Sequence, residues 1–142
     1  MPYDLSRFHK AQKGTYETAL AEIRAGRKRS HWIWYIFPQI QGLGYSSTAQ
    51  YYAIEDLNEA KAYLTDPVLR ERLLEISNAL LALDSCDPSE VMGYPDDLKL
   101  RSCMTLFREA DPDCGTFQAV LDKYFGGQPD RRTLEILRKQ EA

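Results

Sequence analysis

The sequence predicts an all-α, mainly helical protein, a single globular domain over residues 1–142 with about seven to nine short helices. Three observations carry this expectation. Apolar residues recur at spacings of three and four along most of the chain, the period of one helix face. Capping residues and glycines interrupt the pattern where helices should begin and end. No Asn-Gly turn and no sustained alternation appears, so no strand pair is expected.

Taken in order, Asp4 precedes a stripe of Leu5, Phe8, Tyr16, Leu20 and Ile23, which Gly26 ends. Ser30 is placed to cap a short aromatic segment, Trp32 to Phe37, stopped by Pro38. Residues 38–46 hold a proline, two glycines and a serine and read as a loop. Ser46 or Ser47 begins the next helix, and Asp56 the one after. Asp66-Pro67 is a cap followed by proline at the first helical position, opening a helix with Leu69, Leu73, Ile76 and Leu80 inside. Asp87-Pro88 starts a short helix ended by Gly93, and Pro95-Asp96-Asp97 starts one that runs to Ala110. Thr116 caps the next, closed by Gly126-Gly127, and Asp130 caps the last. No repeat of solenoid length is present.

Composition narrows the function classes. With 142 residues, 44% hydrophobic and 27% charged, the chain can bury a core without metal or disulfide support, and it is not a disordered segment. No apolar run is long enough to span a bilayer, and residues 1–30 lack the apolar stretch of a secretory signal. A cytoplasmic protein with no membrane association is expected. Cys86, Cys103 and Cys114 are odd in number and widely spaced, so neither a zinc site nor a disulfide framework is read from them. Neither metal nor cofactor is expected. Cys103 shares helical spacing with Leu100, Met104 and Phe107 and reads as core.

Charge and aromatics are unevenly distributed. The net charge is −3, yet residues 23–54 contain no Asp or Glu and carry Arg24, Arg27, Lys28 and Arg29. Both tryptophans, Trp32 and Trp34, fall in this stretch with His31, Tyr35 and Tyr45. Arginines offer bidentate contacts to phosphate or carboxylate, and indole or phenol faces stack on a flat ring. The loop with Gln39, Gly42, Gly44, Tyr45 and Ser46 would let backbone N–H groups approach an anion beside the start of a helix. The same features have structural readings: a solvated helix end, plain aromatic core and a tight connection. A second constellation lies at Tyr94 to Ser102. Asp97 and Arg101 are four apart and able to pair on one helix face, while Asp96 caps and Lys99 adds positive charge. Asp97 is the candidate acid, base or ribose ligand there. His31 is either a packed or capped histidine or a general base.

The strings Arg27-Lys28-Arg29-Ser30-His31-Trp32-Ile33-Trp34-Tyr35-Ile36-Phe37-Pro38-Gln39 and Pro95-Asp96-Asp97-Leu98-Lys99-Leu100-Arg101-Ser102 are distinctive. With Gly42-Leu43-Gly44 they resemble an uncharacterised bacterial family, the domain of unknown function numbered 1810. That resemblance implies a compact helical domain without an established activity. Members often carry the label calpastatin, but a calpain inhibitor of that kind is disordered, and this composition belongs to a folding chain. The chain is also distantly similar to YbiA-like, or NADAR, proteins, a resemblance that implies cleavage of N-glycosidic bonds in nucleotide or ADP-ribose derivatives. Thr48-Ala49-Gln50-Tyr51-Tyr52 corresponds to the start of one of their helices, with Ala49 in place of a glutamate.

Two functions follow from different classes. One is a small enzyme or sensor for an anionic ligand with a flat ring, a nucleotide or ADP-ribose derivative. Arg27, Lys28, Arg29 and Lys99 would hold phosphates, Trp32, Trp34 and Tyr35 would stack the ring, and Gln39, Gly42, Gly44, Tyr45 and Ser46 would line the pocket. Asp97, Arg101 and His31 would serve the reacting bond. The other is a non-catalytic protein-interaction module using the same aromatic and basic stretch. A pI of about 5.4 argues against a duplex nucleic-acid footprint. The oligomeric state stays open.

Overall fold

A computed structural model describes residues 3–141, and among them the chain is helical with no strands. Ten helices follow in order: α1 (Ser6–Gln12), α2 (Tyr16–Arg24), α3 (Ile33–Ile36), α4 (Ser47–Tyr52), α5 (Leu57–Thr65), α6 (Pro67–Ala82), α7 (Pro88–Met92), α8 (Asp96–Ala110), α9 (Gly115–Phe125) and α10 (Arg131–Glu141). The one helix expected from Leu5 to Ile23 is two, because Gly14 adopts a φ of +82° that breaks the run between Gln12 and Tyr16.

The capping chemistry explains most boundaries. Ser46 accepts the Ala49 N–H, Asp56 the Glu59 N–H, Asp66 those of Val68 and Leu69, and Asp87 that of Ser89. Three expected caps behave differently. The Ser30 hydroxyl bonds Glu22 instead, and α3 begins at Ile33. Thr116 lies inside α9, which Cys114 precedes without a side-chain cap. Asp96 caps nothing; it pairs with Lys28 at 2.8 Å and with Lys99 at 3.4 Å.

The core centres on α8, which packs against α3, α5, α7, α9 and α10. Leu100, Cys103, Met104 and Phe107 on α8 are fully buried, as their spacing predicts. A line of aromatic contacts crosses the molecule from Phe8 on α1 through Tyr63 on α5 and Phe107 on α8 to Phe117 on α9, with ring centroids 5.1–5.9 Å apart. A single bridge joins Ile40 to Ile54, where the Gln41 N–H donates to the Ile54 carbonyl and the Ile54 N–H to that of Gln39, both at 2.8 Å. It anchors both ends of the 41–53 segment and so holds the glycine loop and α4 over the start of α8.

No helix among the described residues is long and apolar enough to cross a membrane.

Candidate functional site

A cleft of about 440 Å³ opens where the 39–46 loop, the first turns of α8 and the start of α10 meet. Its walls bring together parts of both constellations read from the sequence. Trp34, Gln39, Gly44, Tyr45 and Ser46 come from the first; Lys99, Arg101 and also Ser102 come from the second. Asp130 and Arg132 complete the polar lining.

Each polar group is set by local structure. Trp34 is partly covered, with the Lys99 Nζ 5.5 Å from its ring centroid. Arg101 donates its Nε to the Gln128 carbonyl at 2.9 Å and lies over the Phe125 ring. Among the described residues no carboxylate lies within ion-pair distance of Arg101 or Arg132. Three cations thus face one lining carboxylate, Asp130, and the cleft is positive despite the acidic chain. Gly44 lies against α4: a Cβ there would sit 2.6 Å from the Ala49 Cβ, so only glycine permits the loop to close onto the helix at this distance. Gly42, with a φ of +106°, turns the loop towards Ile136 and lies outside the cleft lining. The six-residue α4 has its Ala49 N–H already taken by Ser46, so the anion-binding helix start expected there is a capped turn.

The other predicted residues stand elsewhere. Trp32 is fully buried, and its indole N–H donates to Glu22 Oε1 at 2.9 Å. Glu22 lies one residue before the acid-free stretch and also accepts from the Arg29 N–H, the Ser30 N–H and the Ser30 hydroxyl. Burial by itself raises the Glu22 carboxyl, but those four donors outweigh it and hold the pKa at about 2. Lys28 contacts the Ser30 carbonyl and Asp96, which leaves its ammonium paired and largely covered. Arg27, Lys28 and Arg29 share a different cleft with Ser89, Glu90 and Gly93. Tyr35 stacks on Tyr52 at 5.2 Å, and His31 is exposed and outside the cleft. Asp97 is buried on α8; it accepts from the Ser89 hydroxyl at 3.0 Å and the Leu98 N–H at 2.9 Å, and it does not line the cleft. The Asp97–Arg101 pair is not made, because these side chains turn to opposite neighbours, α7 and the 128 loop.

Sequence reading passed over Asp130 as a helix cap and did not weigh Arg132. The signal was present in Asp130-Arg131-Arg132-Thr133, a carboxylate beside two arginines, but nothing local shows that this turn closes on α8. Cys103 is buried, as its helical spacing predicts, and burial pushes its thiol pKa well up. Among the described residues no group of His, Cys, Asp and Glu forms a metal site.

An all-helical chain with a basic, aromatic-lined cleft is therefore the class this architecture defines. The chain belongs to the family described as "Protein of unknown function (DUF1810)", matched over residues 2–137. It is similar to the conserved hypothetical protein Rv1873 from Mycobacterium tuberculosis, whose crystal structure at 1.38 Å agrees with a TM-score of 0.94. The two sequences are 46% identical, over 97% of this chain and 99% of that one. No curated protein matches.

Proposed function

We propose that the cleft binds a small anionic ligand carrying a flat ring, of the nucleotide or ADP-ribose class. The observation that carries this reading is the gathering of Lys99, Arg101 and Arg132 around Trp34 and Tyr45 in one concave site. Guanidinium groups without carboxylate partners are matched to phosphate oxygens, and the aromatic side chains are matched to a base. Concavity with few convergent polar groups is also the usual form of a small-molecule site. The finer form of this reading, from the similarity to YbiA-like proteins, is hydrolysis of an N-glycosidic bond. Asp130 rather than Asp97 is then the carboxylate within reach of a ligand in the cleft. The free cysteines accord with a reducing, cytoplasmic setting.

The test is calorimetric titration with ADP-ribose, NAD and AMP, followed by chromatography of the incubated ligands. Arg101→Ala and Arg132→Ala should each weaken binding about tenfold or more, since each removes a charge-assisted contact. Arg29→Ala, on the separate cleft, should leave affinity within about twofold. Loss of binding in Arg29→Ala alone would move the site to that other cleft. Intact ligands after long incubation would leave a sensor and remove the hydrolase.

A second reading has its own observation. Tyr45 and Leu98, which line the same cleft, are 78% and 47% exposed. Such a rim favours a protein-interaction module, and absence of binding by every ligand above would make that the working function.

A further inference from the structure

Seven polar or charged residues are buried among the described residues, and three of them, Ser102, Thr105 and Thr133, converge on Asp130. Thr105 Oγ1 accepts the Asp130 N–H at 2.8 Å and itself donates to the Arg101 carbonyl at 2.8 Å. The Thr133 hydroxyl donates to Asp130 Oδ2 at 2.5 Å and the Thr133 N–H at 3.0 Å, while the Ser102 hydroxyl lies 3.1 Å both from Oδ2 and from the Leu98 carbonyl of its own helix.

Capping α10 requires only the Thr133 N–H. The hydroxyls go beyond that need, and burying a hydroxyl where alanine or valine would fit has a cost unless the bond is used. The Ser102 and Thr133 hydroxyls both load one oxygen, Oδ2, while Thr105 fixes the Asp130 backbone. Oδ1 has no hydrogen-bond donor among the described residues. A carboxylate accepts about four hydrogen bonds, so Asp130 is fixed in place with accepting capacity left over. It is also the carboxylate in a lining that otherwise holds Lys99, Arg101 and Arg132. A bare phosphate satisfies the cations but is repelled by Asp130 and carries no sugar hydroxyls to donate to it. A phosphorylated sugar brings both, because its hydroxyls are donors at a fixed distance from its phosphates.

We infer that Asp130 is the sugar-reading residue of the cleft, accepting from the vicinal hydroxyls of a phosphorylated ribose, with Ser102, Thr105 and Thr133 as its positioning residues. This rests on the anionic-ligand reading above and names the part of the ligand that the basic residues do not explain.

The experiment compares ADP, 2′,3′-dideoxy-ADP, inosine diphosphate and inorganic pyrophosphate by calorimetry on the wild type, Asp130→Asn and Thr133→Val. The wild type should prefer ADP over the dideoxy form about tenfold or more, and should not distinguish ADP from inosine diphosphate by more than about twofold. Asp130→Asn should bring the ribose preference close to one while pyrophosphate binds as well or better, since a negative charge has left the cleft. Thr133→Val keeps the N–H cap and should lower the ribose preference without changing pyrophosphate affinity. Equal binding of ADP and its dideoxy form by the wild type overturns the inference and leaves anion binding standing. Loss of pyrophosphate binding in Asp130→Asn also overturns it, by assigning Asp130 to the fold alone. Absence of binding by ADP and pyrophosphate together removes the underlying reading, and this inference with it. A preference for ADP over inosine diphosphate that vanishes in Asp130→Asn would instead assign the carboxylate to the base.

Discussion

Glu22 sits at the junction between a buried indole and a solvated loop, and its carboxylate organises both. The Trp32 N–H has no other acceptor among the described residues, so Glu22→Ala should cost about 1–3 kcal/mol by leaving a buried donor unpaired. The pH dependence follows from the same contacts. The folded pKa is held at about 2, below the ordinary value of 4.5. Between those values the unfolded chain takes up a proton that the folded chain refuses, so stability rises with pH across this window. The contribution is complete above 4.5 and is lost as pH falls through 2. Glu22→Gln keeps the shape without the titration, and its melting temperature should vary less than that of the wild type over that interval. Parallel acid limbs for the two proteins would show that the carboxylate is not held as the geometry requires.

At the scale of elements, helix ends are tied to loops by single side chains. Lys123 on α9 donates to the carbonyls of Leu80 and Leu81 at 3.2 and 2.9 Å and to that of Leu83, which satisfies the last turn of α6 with a positive charge where the helix dipole favours one. Lys28 similarly fastens the segment before α3 to Asp96 at the start of α8. The loop against α4 is held by absence of a side chain. Gly44→Ala would place a methyl 2.6 Å from the Ala49 Cβ, and neither partner has a flexible end to swing away. It should destabilise by about 1–3 kcal/mol in urea titration and weaken ligand binding, because Gly44 lines the cleft. Ala49→Gly in the same chain should recover part of the lost stability, less the cost of about 1 kcal/mol for glycine in a helix, and with it part of the affinity. No recovery would place the strain elsewhere.

For the whole molecule, one cluster of buried residues runs from Phe8 to Leu137 with no division between elements. Heat should therefore unfold the chain in one cooperative transition, with a calorimetric enthalpy of about 100 kcal/mol near 60 °C for this length and a van't Hoff value that agrees. Two separable peaks would contradict a single folding unit. Much of this architecture was legible beforehand. The Asp-Pro caps, the Gly126 stop and the α8 stripe mark most helix boundaries by local chemistry. Gly14 was missed because the apolar stripe continues in phase across it, and Thr116 was misread because Cys114 precedes a helix without offering a side-chain cap. Of the site, Trp34, Gln39, Gly44, Tyr45, Ser46, Lys99 and Arg101 were named from sequence and do meet in one cleft.

The helical class, the family and the residue types from which a basic, aromatic site is made are written along the chain, because caps, periodicity and composition act over a few neighbouring positions. Which of those residues share a space depends on packing. Glu22 folds onto the backbone of a stretch that looks free of acid, Asp97 turns into the interior, and the 27–29 basic run faces another cleft. Asp130 and Arg132 enter the site only because α10 packs on α8 some thirty positions back along the chain. Charge and hydrogen bonds act through space, so local pattern identifies the groups, while packing selects their partners.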